Sequence, residues 1–185
     1  MSIDQEPHPL HERLNTEIAE PTYKAVRKSG SAGSAQNTLR AELYSDAWDR
    51  IKNAEESNCL FEVVTLCDML TTDRLEAFTQ YLMFDEDKQF VTDSIGEAFK
   101  NFGWAVKHRG KGQGIALDAE YKQLNKLVSE FVSLRNRVVH GHLIVRNDTE
   151  STNLKERILL LEEAAIKGKV AARFVDGWTN KRTKI

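Results

Sequence analysis

Apolar side chains recur at intervals of three and four residues from about residue 37 onward, which is the spacing of amphipathic α-helices. Four such stripes precede residue 145. Their apolar positions are Leu39, Leu43, Ala47 or Trp48 and Ile51; Leu60, Val64, Cys67, Leu75, Phe78 and Leu82; Ile95, Phe99, Phe102 and Val106; and Leu117, Tyr121, Leu124, Val128 and Phe131. The pattern predicts an all-α chain.

The second stripe predicts one long helix over residues 59–84, because its spacing continues through Thr71, Thr72 and Asp73. The alternative is a break at this point, with Asp73 and Glu76 forming a capping box for a second helix. In either case acidic side chains project from this region.

Possible N-terminal caps precede three of the helices. They are Asn37 or Thr38 before the first stripe, Ser94 with Glu97 before the third, and Asn153 with Glu156 before a further helix. That last helix is expected to end near Gly168. Alternation over residues 170–178 is weak, and it fits either a strand or more helix. The whole pattern predicts a bundle of about five helices.

The first 36 residues differ from the rest of the chain. They contain Pro7, Pro9 and Pro21, and residues 29–35 consist of Ser, Gly and Ala. Segments of this composition are typical of flexible linkers. We therefore predict a flexible tail and linker over residues 1–36 and one helical domain over residues 37–185.

The formal net charge is −2, with 41% apolar and 29% charged residues, which is ordinary for a globular protein. Such a balance gives no general attraction to nucleic acid, so any RNA site must be a local basic patch. Candidate patch residues are Lys100, Lys107, Arg109 and Lys111, together with Arg135, Arg137 and Arg146. The alternative for the first four is a solvated surface of mixed charge.

Cysteine usage and the chain start indicate a cytoplasmic protein. Cys59 and Cys67, eight residues apart on one helix, would be separated by about 12 Å, too far for a disulfide, so reduced and buried thiols are expected. Residues 2–6 are acidic where a signal peptide is basic. The longest run of large apolar residues, 158–161, is too short to span a membrane.

The most unusual stretch closes the fourth stripe and reads Leu-Arg-Asn-Arg-Val-Val-His-Gly-His from position 134. Arg135 occupies a position where the stripe requires an apolar side chain. Because a guanidinium keeps its charge, burial there requires a carboxylate or several carbonyls around it. Asp68 and Glu76 are the candidates to face Arg135. The alternative is that they pair with Arg74 or Lys88 at the surface.

Arg135 and His140 are five residues apart, about 140° around a helix, so one straight helix does not aim both at one target. Asn136 and His140, four residues apart, share a face. Two arrangements would bring Arg135 and His140 together. Either the helix ends here with Gly141 as its left-handed cap, or two copies of the stretch meet across a twofold axis.

This arrangement of Arg135, Asn136 and His140 at the end of a long helix resembles the Arg-polar-x-x-x-His signature of the HEPN superfamily. The resemblance covers roughly residues 40–145, and the segment from Asp73 to Glu76 is similar to the acidic helix that faces the motif in several HEPN groups. It implies an all-α, HEPN-like helical bundle that dimerises through the motif helix.

By the same resemblance, Arg135 and His140 are the catalytic residues of RNA cleavage, two copies of each meeting in the dimer cleft. In such chemistry the histidine moves protons and the arginine stabilises charge on the phosphate. Supporting or RNA-contacting roles are predicted for Asn136, Arg137, His142, Glu76 and Asp68. No metal and no cofactor are expected.

The leading prediction is a metal-independent endoribonuclease in a toxin–antitoxin, phage-defence or stress-response setting, and the setting comes from the resemblance alone. The predicted partners are a second copy of the chain, RNA as substrate, and a cognate antitoxin or other protein. The alternative is a non-catalytic HEPN-like dimeric module that binds RNA, nucleotide or a protein partner. In a purely structural role, Arg135 would bond a carboxylate such as Glu76 and His140 would cap the helix.

Overall fold

The computed structural model describes residues 31–83, 91–110, 115, 118–143 and 154–183. Within these ranges the chain forms helices and no strand, so the predicted all-α class is confirmed. The helices are α1 (Ser31–Glu56), α2 (Leu60–Leu82), α3 (Ile95–Arg109), α4 (Ala119–Leu143) and α5 (Leu154–Arg182). None of them is long and apolar enough to cross a membrane.

α2 and α5 lie side by side and run in the same direction. Gly168 of α5 lies against Cys67 of α2, and two turns further along both helices Arg74 bonds Asp176. A Cβ added at Gly168 would come within 2.7 Å of the Phe131 ring and 3.1 Å of the Cys67 Cβ. Glycine at this position therefore permits the close approach of α5 to both α2 and α4.

α4 runs antiparallel to α5, as the ion pairs between them show. Lys167 pairs with Glu130 at 2.8 Å, and Lys181 pairs with Glu120 at 3.1 Å. Later residues of α5 therefore meet earlier residues of α4. This places the motif end of α4 near the start of α5.

α1 packs against both α2 and α5. Lys169 of α5 bonds Glu55 at 2.5 Å, and Tyr44 donates a hydrogen bond to Asp73 of α2. Tyr44, Trp48 and Ile51 are buried on the inner face of α1.

Two buried clusters fill the bundle. The first lies at the motif end and includes Leu66, Leu70, Ile95, Leu134 and Val138. The second is aromatic at its centre, with ring centroids 5.0 to 5.9 Å apart among Phe78, Phe102 and Trp178. The motif therefore lies at the end of the core that the first cluster fills.

The structure confirms some predicted helices and corrects others. α2 is continuous from Leu60 to Leu82, so the alternative break at Asp73 is wrong. Ser94 caps α3 and accepts a hydrogen bond from the Glu97 amide, as predicted. α5 continues beyond Gly168 to Arg182, because Gly168 is a packing position and not a helix end.

The first helix differs most from expectation. α1 begins at Ser31, so the end of the predicted linker is helical and neither Asn37 nor Thr38 is its cap. Residues 1–30, the rest of the predicted tail, lie outside the described residues. Leu39 and Leu43, expected in the core, are 56% and 59% exposed. The buried face of α1 instead contains Tyr44, which contacts the polar side chains of Asp73 and Arg74 on α2.

The two cysteines are free, but only Cys67 is buried. Burial raises the pKa of the Cys67 thiol, which keeps it protonated. Cys59 is exposed at the turn that precedes α2, so its expected burial is wrong.

Candidate functional site

The motif lies on an uninterrupted helix. α4 runs to Leu143, so it does not end with Gly141 as a left-handed cap. Arg135 and His140 therefore point about 140° apart within one subunit. His142, which was predicted to assist them, is not among the residues whose side chains are described.

Arg135 is held against α2 by a carboxylate, as its place in the apolar stripe required. Its Nε donates to Asp68 Oδ2 at 2.9 Å, and its Nη1 donates to Asn136 Oδ1 at 3.2 Å. A quarter of the Arg135 side chain remains exposed. The guanidinium is thus fixed in direction while part of its surface is reachable by an anion.

Asp68 lies at the boundary between the buried and the exposed face of α2, between buried Cys67 and exposed Met69. Burial raises the pKa of the Asp68 carboxyl, and the charge of Arg135 opposes that rise, helped by a hydrogen bond from Thr72. Its Oδ1 is buried and accepts no hydrogen bond among the described residues. The carboxylate therefore depends strongly on Arg135 for its compensation.

Glu76 does not face Arg135. Its Oε1 accepts hydrogen bonds from the Thr92 amide at 2.7 Å and from the Thr92 hydroxyl at 2.5 Å. Glu76 therefore fixes the segment that enters α3, and its predicted contact with Arg135 is wrong. Eight residues separate it from Asp68, about 12 Å along the helix.

The other motif residues face outward. Asn136, Arg137 and His140 are exposed, and Asn136 and His140 lie one turn apart on the same face of α4. The contact from Arg135 to Asn136 links the half-buried guanidinium to this face. One subunit thus presents a guanidinium and an imidazole at one helix end, without bringing them together.

Sequence analysis missed a second arginine pair. Arg74 of α2 bonds Asp176 of α5 at 2.6 Å, and its guanidinium lies 4.0 Å from the centre of the Tyr44 ring. Burial raises the pKa of Asp176, against the opposing charge of Arg74. A signal existed, because reading residues 170–178 as helix places Asp176 beside the buried positions Val175 and Thr179.

Metal ligands are not gathered at the motif or elsewhere in the described parts of the chain, where no group of three or more His, Cys, Asp or Glu side chains has the geometry to hold an ion. Arginine and histidine supply positive charge and proton transfer without an ion.

Comparisons with known proteins add no relative: no family model, curated protein or solved structure matches this chain. The case for function consequently rests on the residues around Arg135 and on the resemblance of the motif.

Proposed function

We propose that the chain is a metal-independent endoribonuclease of HEPN type whose active site forms between two copies. The observation that carries this proposal is the state of Arg135. It is oriented by Asp68 yet a quarter exposed, and it contacts Asn136, which shares an exposed face with His140.

The chemistry follows from the two side chains. His140 removes the proton from a ribose 2′-hydroxyl, and the 2′-oxygen attacks the adjacent phosphorus. The bond between phosphorus and the 5′-oxygen breaks, and that oxygen takes up the proton that His140 holds. Arg135 binds the phosphate and stabilises the charge that develops on it. The products are a 2′,3′-cyclic phosphate and a 5′-hydroxyl.

Two copies are required because α4 is straight through the motif. Arg135 lies at the contact with α2, whereas His140 is exposed on another face of the same helix. A partner that packs its own motif helix here, related by a twofold axis, supplies the histidine that one subunit cannot aim at its own arginine.

Asp68 acts through Arg135 and is a positioning residue. By accepting from Nε it leaves the terminal edge of the guanidinium directed towards Asn136. Asn136 is suited to orient His140 or to contact phosphate, and Arg137 and the motif's last histidine, His142, to contact the RNA backbone.

The proposal is tested by incubating labelled single-stranded RNA and tRNA with purified protein in EDTA. We expect cutting by the wild type, with cyclic-phosphate ends, and none by His140→Ala prepared identically. Lys126→Ala, an exposed position on the same helix, is the matched control and should cut like the wild type. Equal cutting by His140→Ala would show a contaminant, and the proposal would fail.

A non-catalytic dimeric module that binds RNA, nucleotide or a protein partner is the second candidate. It is favoured by one observation: Arg135 already has a carboxylate partner within its own subunit. This module would bind RNA without cutting it, and Arg135→Lys would retain most of that binding. A nuclease would lose cleavage in the same variant, because lysine cannot replace the fork of the guanidinium.

A toxin–antitoxin, phage-defence or stress-response setting, with a cognate antitoxin as protein partner, extends the proposal. Growth arrest on expression, relieved by a co-expressed partner and absent for His140→Ala, would support that setting. Normal growth together with cutting in vitro would argue against a toxin.

A further inference from the structure

α3 presents a basic and aromatic stripe to solvent. The stripe consists of Lys100, Trp104, Lys107 and His108, all exposed and spaced so that they share one face of the helix. The opposite face is buried and carries Ile95, Ala98, Phe102, Ala105 and Val106. The stripe is therefore not needed to attach α3 to the bundle.

Trp104 is the unusual member. It is 44% exposed, whereas the other two tryptophans, Trp48 and Trp178, are 9% and 2% exposed. Its ring centroid lies 4.6 Å from that of His108, with 42° between the planes. The two rings are in contact, so a base would stack on the outer face of one of them, as unpaired bases do on exposed aromatic side chains.

The charges around this aromatic pair are positive. Lys100 lies one turn before Trp104, Lys107 lies nearly one turn after it, and neither lysine pairs with a carboxylate among the described residues. Glu97, in the first turn, is the single acidic residue of α3. From Lys100 onward the stripe is therefore complementary to a polyanion.

We propose that this stripe binds single-stranded RNA, with phosphates on Lys100 and Lys107 and a base stacked on the aromatic pair of Trp104 and His108. Duplex would fit less well, because its bases are already stacked and paired and expose no free face to Trp104.

α3 begins near the motif and runs towards the opposite end of α4, where the Phe102 and Tyr121 ring centroids are 6.0 Å apart. Ile95, in the first turn of α3, belongs to the same buried cluster as Leu134 and Val138 of α4. Trp104 is nine residues further along, about 14 Å from Ile95. The idea that one RNA strand continues from the stripe to Arg135 rests on the proposed function. Binding of RNA at the stripe itself does not depend on it.

Binding is measured by fluorescence anisotropy of a short labelled RNA without internal pairing, using His140→Ala so that the RNA stays intact. Trp104→Ala should weaken binding by about 5- to 150-fold, the range of one lost base stack. Trp104→Phe should retain most of the affinity, because it keeps an aromatic face. Lys100→Ala with Lys107→Ala should lower the slope of log Kd against log salt by about 1.4.

Two variants on α1 are the matched controls. Leu43→Ala removes an apolar side chain that is 59% exposed, and Lys52→Ala removes an exposed lysine. Both should bind like the parent. Thermal melting should show that Trp104→Ala is folded, since Trp104 is 44% exposed and belongs to neither buried cluster.

The outcomes separate this inference from the proposed function. Loss of binding in Trp104→Ala, alongside a wild type that does not cut RNA, would support the stripe and defeat the nuclease. Cutting by the wild type with Kd and KM unchanged in Trp104→Ala would overturn the stripe alone. Equal affinity for duplex RNA would also overturn it. Trp104-dependent binding of single-stranded DNA would support it, because DNA offers the same unpaired bases and phosphates.

Discussion

Two of the arginine–aspartate pairs that join helices of this bundle lie in contrasting surroundings. Arg74 and Asp176 join α2 to α5 at 2.6 Å, with side chains 10% and 6% exposed. Arg135 and Asp68 join α4 to α2 at 2.9 Å, with side chains 25% and 15% exposed. Tyr44 covers the first arginine, whereas the second reaches the exposed face of α4.

The difference separates a structural pair from a candidate functional one. Both pairs bear the cost of desolvation, which raises the pKa of each aspartate. The Arg74 pair only holds helices together, since an incoming anion cannot reach it. The Arg135 pair is open enough for its cation to bind a second anion, which is the requirement of phosphate chemistry.

The largest expected effect is on the closed pair. Arg74→Met should lower the free energy of unfolding by about 3–5 kcal/mol, because it leaves Asp176 buried without its cation. Urea denaturation measures the loss. Arg74→Met combined with Asp176→Leu should recover much of it, because the uncompensated charge is gone. A double variant as unstable as the single one would contradict this account of the pair.

A smaller loss of stability but a greater loss of activity is expected at the open pair. Arg135→Met should cost about 1–3 kcal/mol, because Asp68 loses its partner yet keeps access to water. RNA cleavage should fall by about 100-fold or more, as for other lost stabilisers of transition-state charge. Full cleavage by a folded Arg135→Met would place Arg135 with Arg74 as a structural residue.

A further effect at the open pair is a pH dependence of stability. The folded pKa of Asp68 is raised, so this group adds most stability below its unfolded pKa, about 4, and that stability is lost as pH rises through the folded pKa. The stability of wild type relative to Asp68→Asn should therefore be greater at about pH 4 than at neutral pH. Urea midpoints of both proteins across this range measure it. If the stability of wild type relative to Asp68→Asn decreased on acidification, this would contradict a raised pKa of Asp68.

Burial also keeps the Tyr44 hydroxyl protonated, because it raises the pKa of that group. Tyr44→Phe removes the hydrogen bond to Asp73 but keeps the ring over Arg74. We expect a loss of about 1 kcal/mol in urea denaturation, with RNA cleavage unchanged. A drop in cleavage would show that the closed region is coupled to the motif.

Sequence reasoning found what helical spacing encodes. α2 was predicted as one helix because the stripe from Leu60 to Leu82 never changes period. Asp68 was found because Arg135 stands at a core position and needs a carboxylate. Spacing alone did not distinguish Asp68 from Glu76, since the choice depends on where Thr92 returns to α2.

Other errors have the same origin. On α1 both Leu43 and Tyr44 fit a helical stripe. Tyr44 is the buried residue, and it contacts Arg74 and Asp73, which no local pattern reveals. The weak alternation over residues 170–178 did not show that Asp176 would have a buried cation as partner. The sequence pattern therefore predicted where most helices lie but not which side chains pair between helices.

The central claim is a metal-free nuclease site shared between two copies. It is tested most directly by assaying RNA cleavage in EDTA with wild type, Arg135→Ala, His140→Ala, and a mixture of the two variants unfolded and refolded together. The account predicts cutting by wild type, none by either variant alone, and recovery of about a quarter of the activity in the mixture, where half of the dimers contain one intact site. A mixture that stays inactive beside an active wild type, or a folded wild type that does not cut, would contradict it.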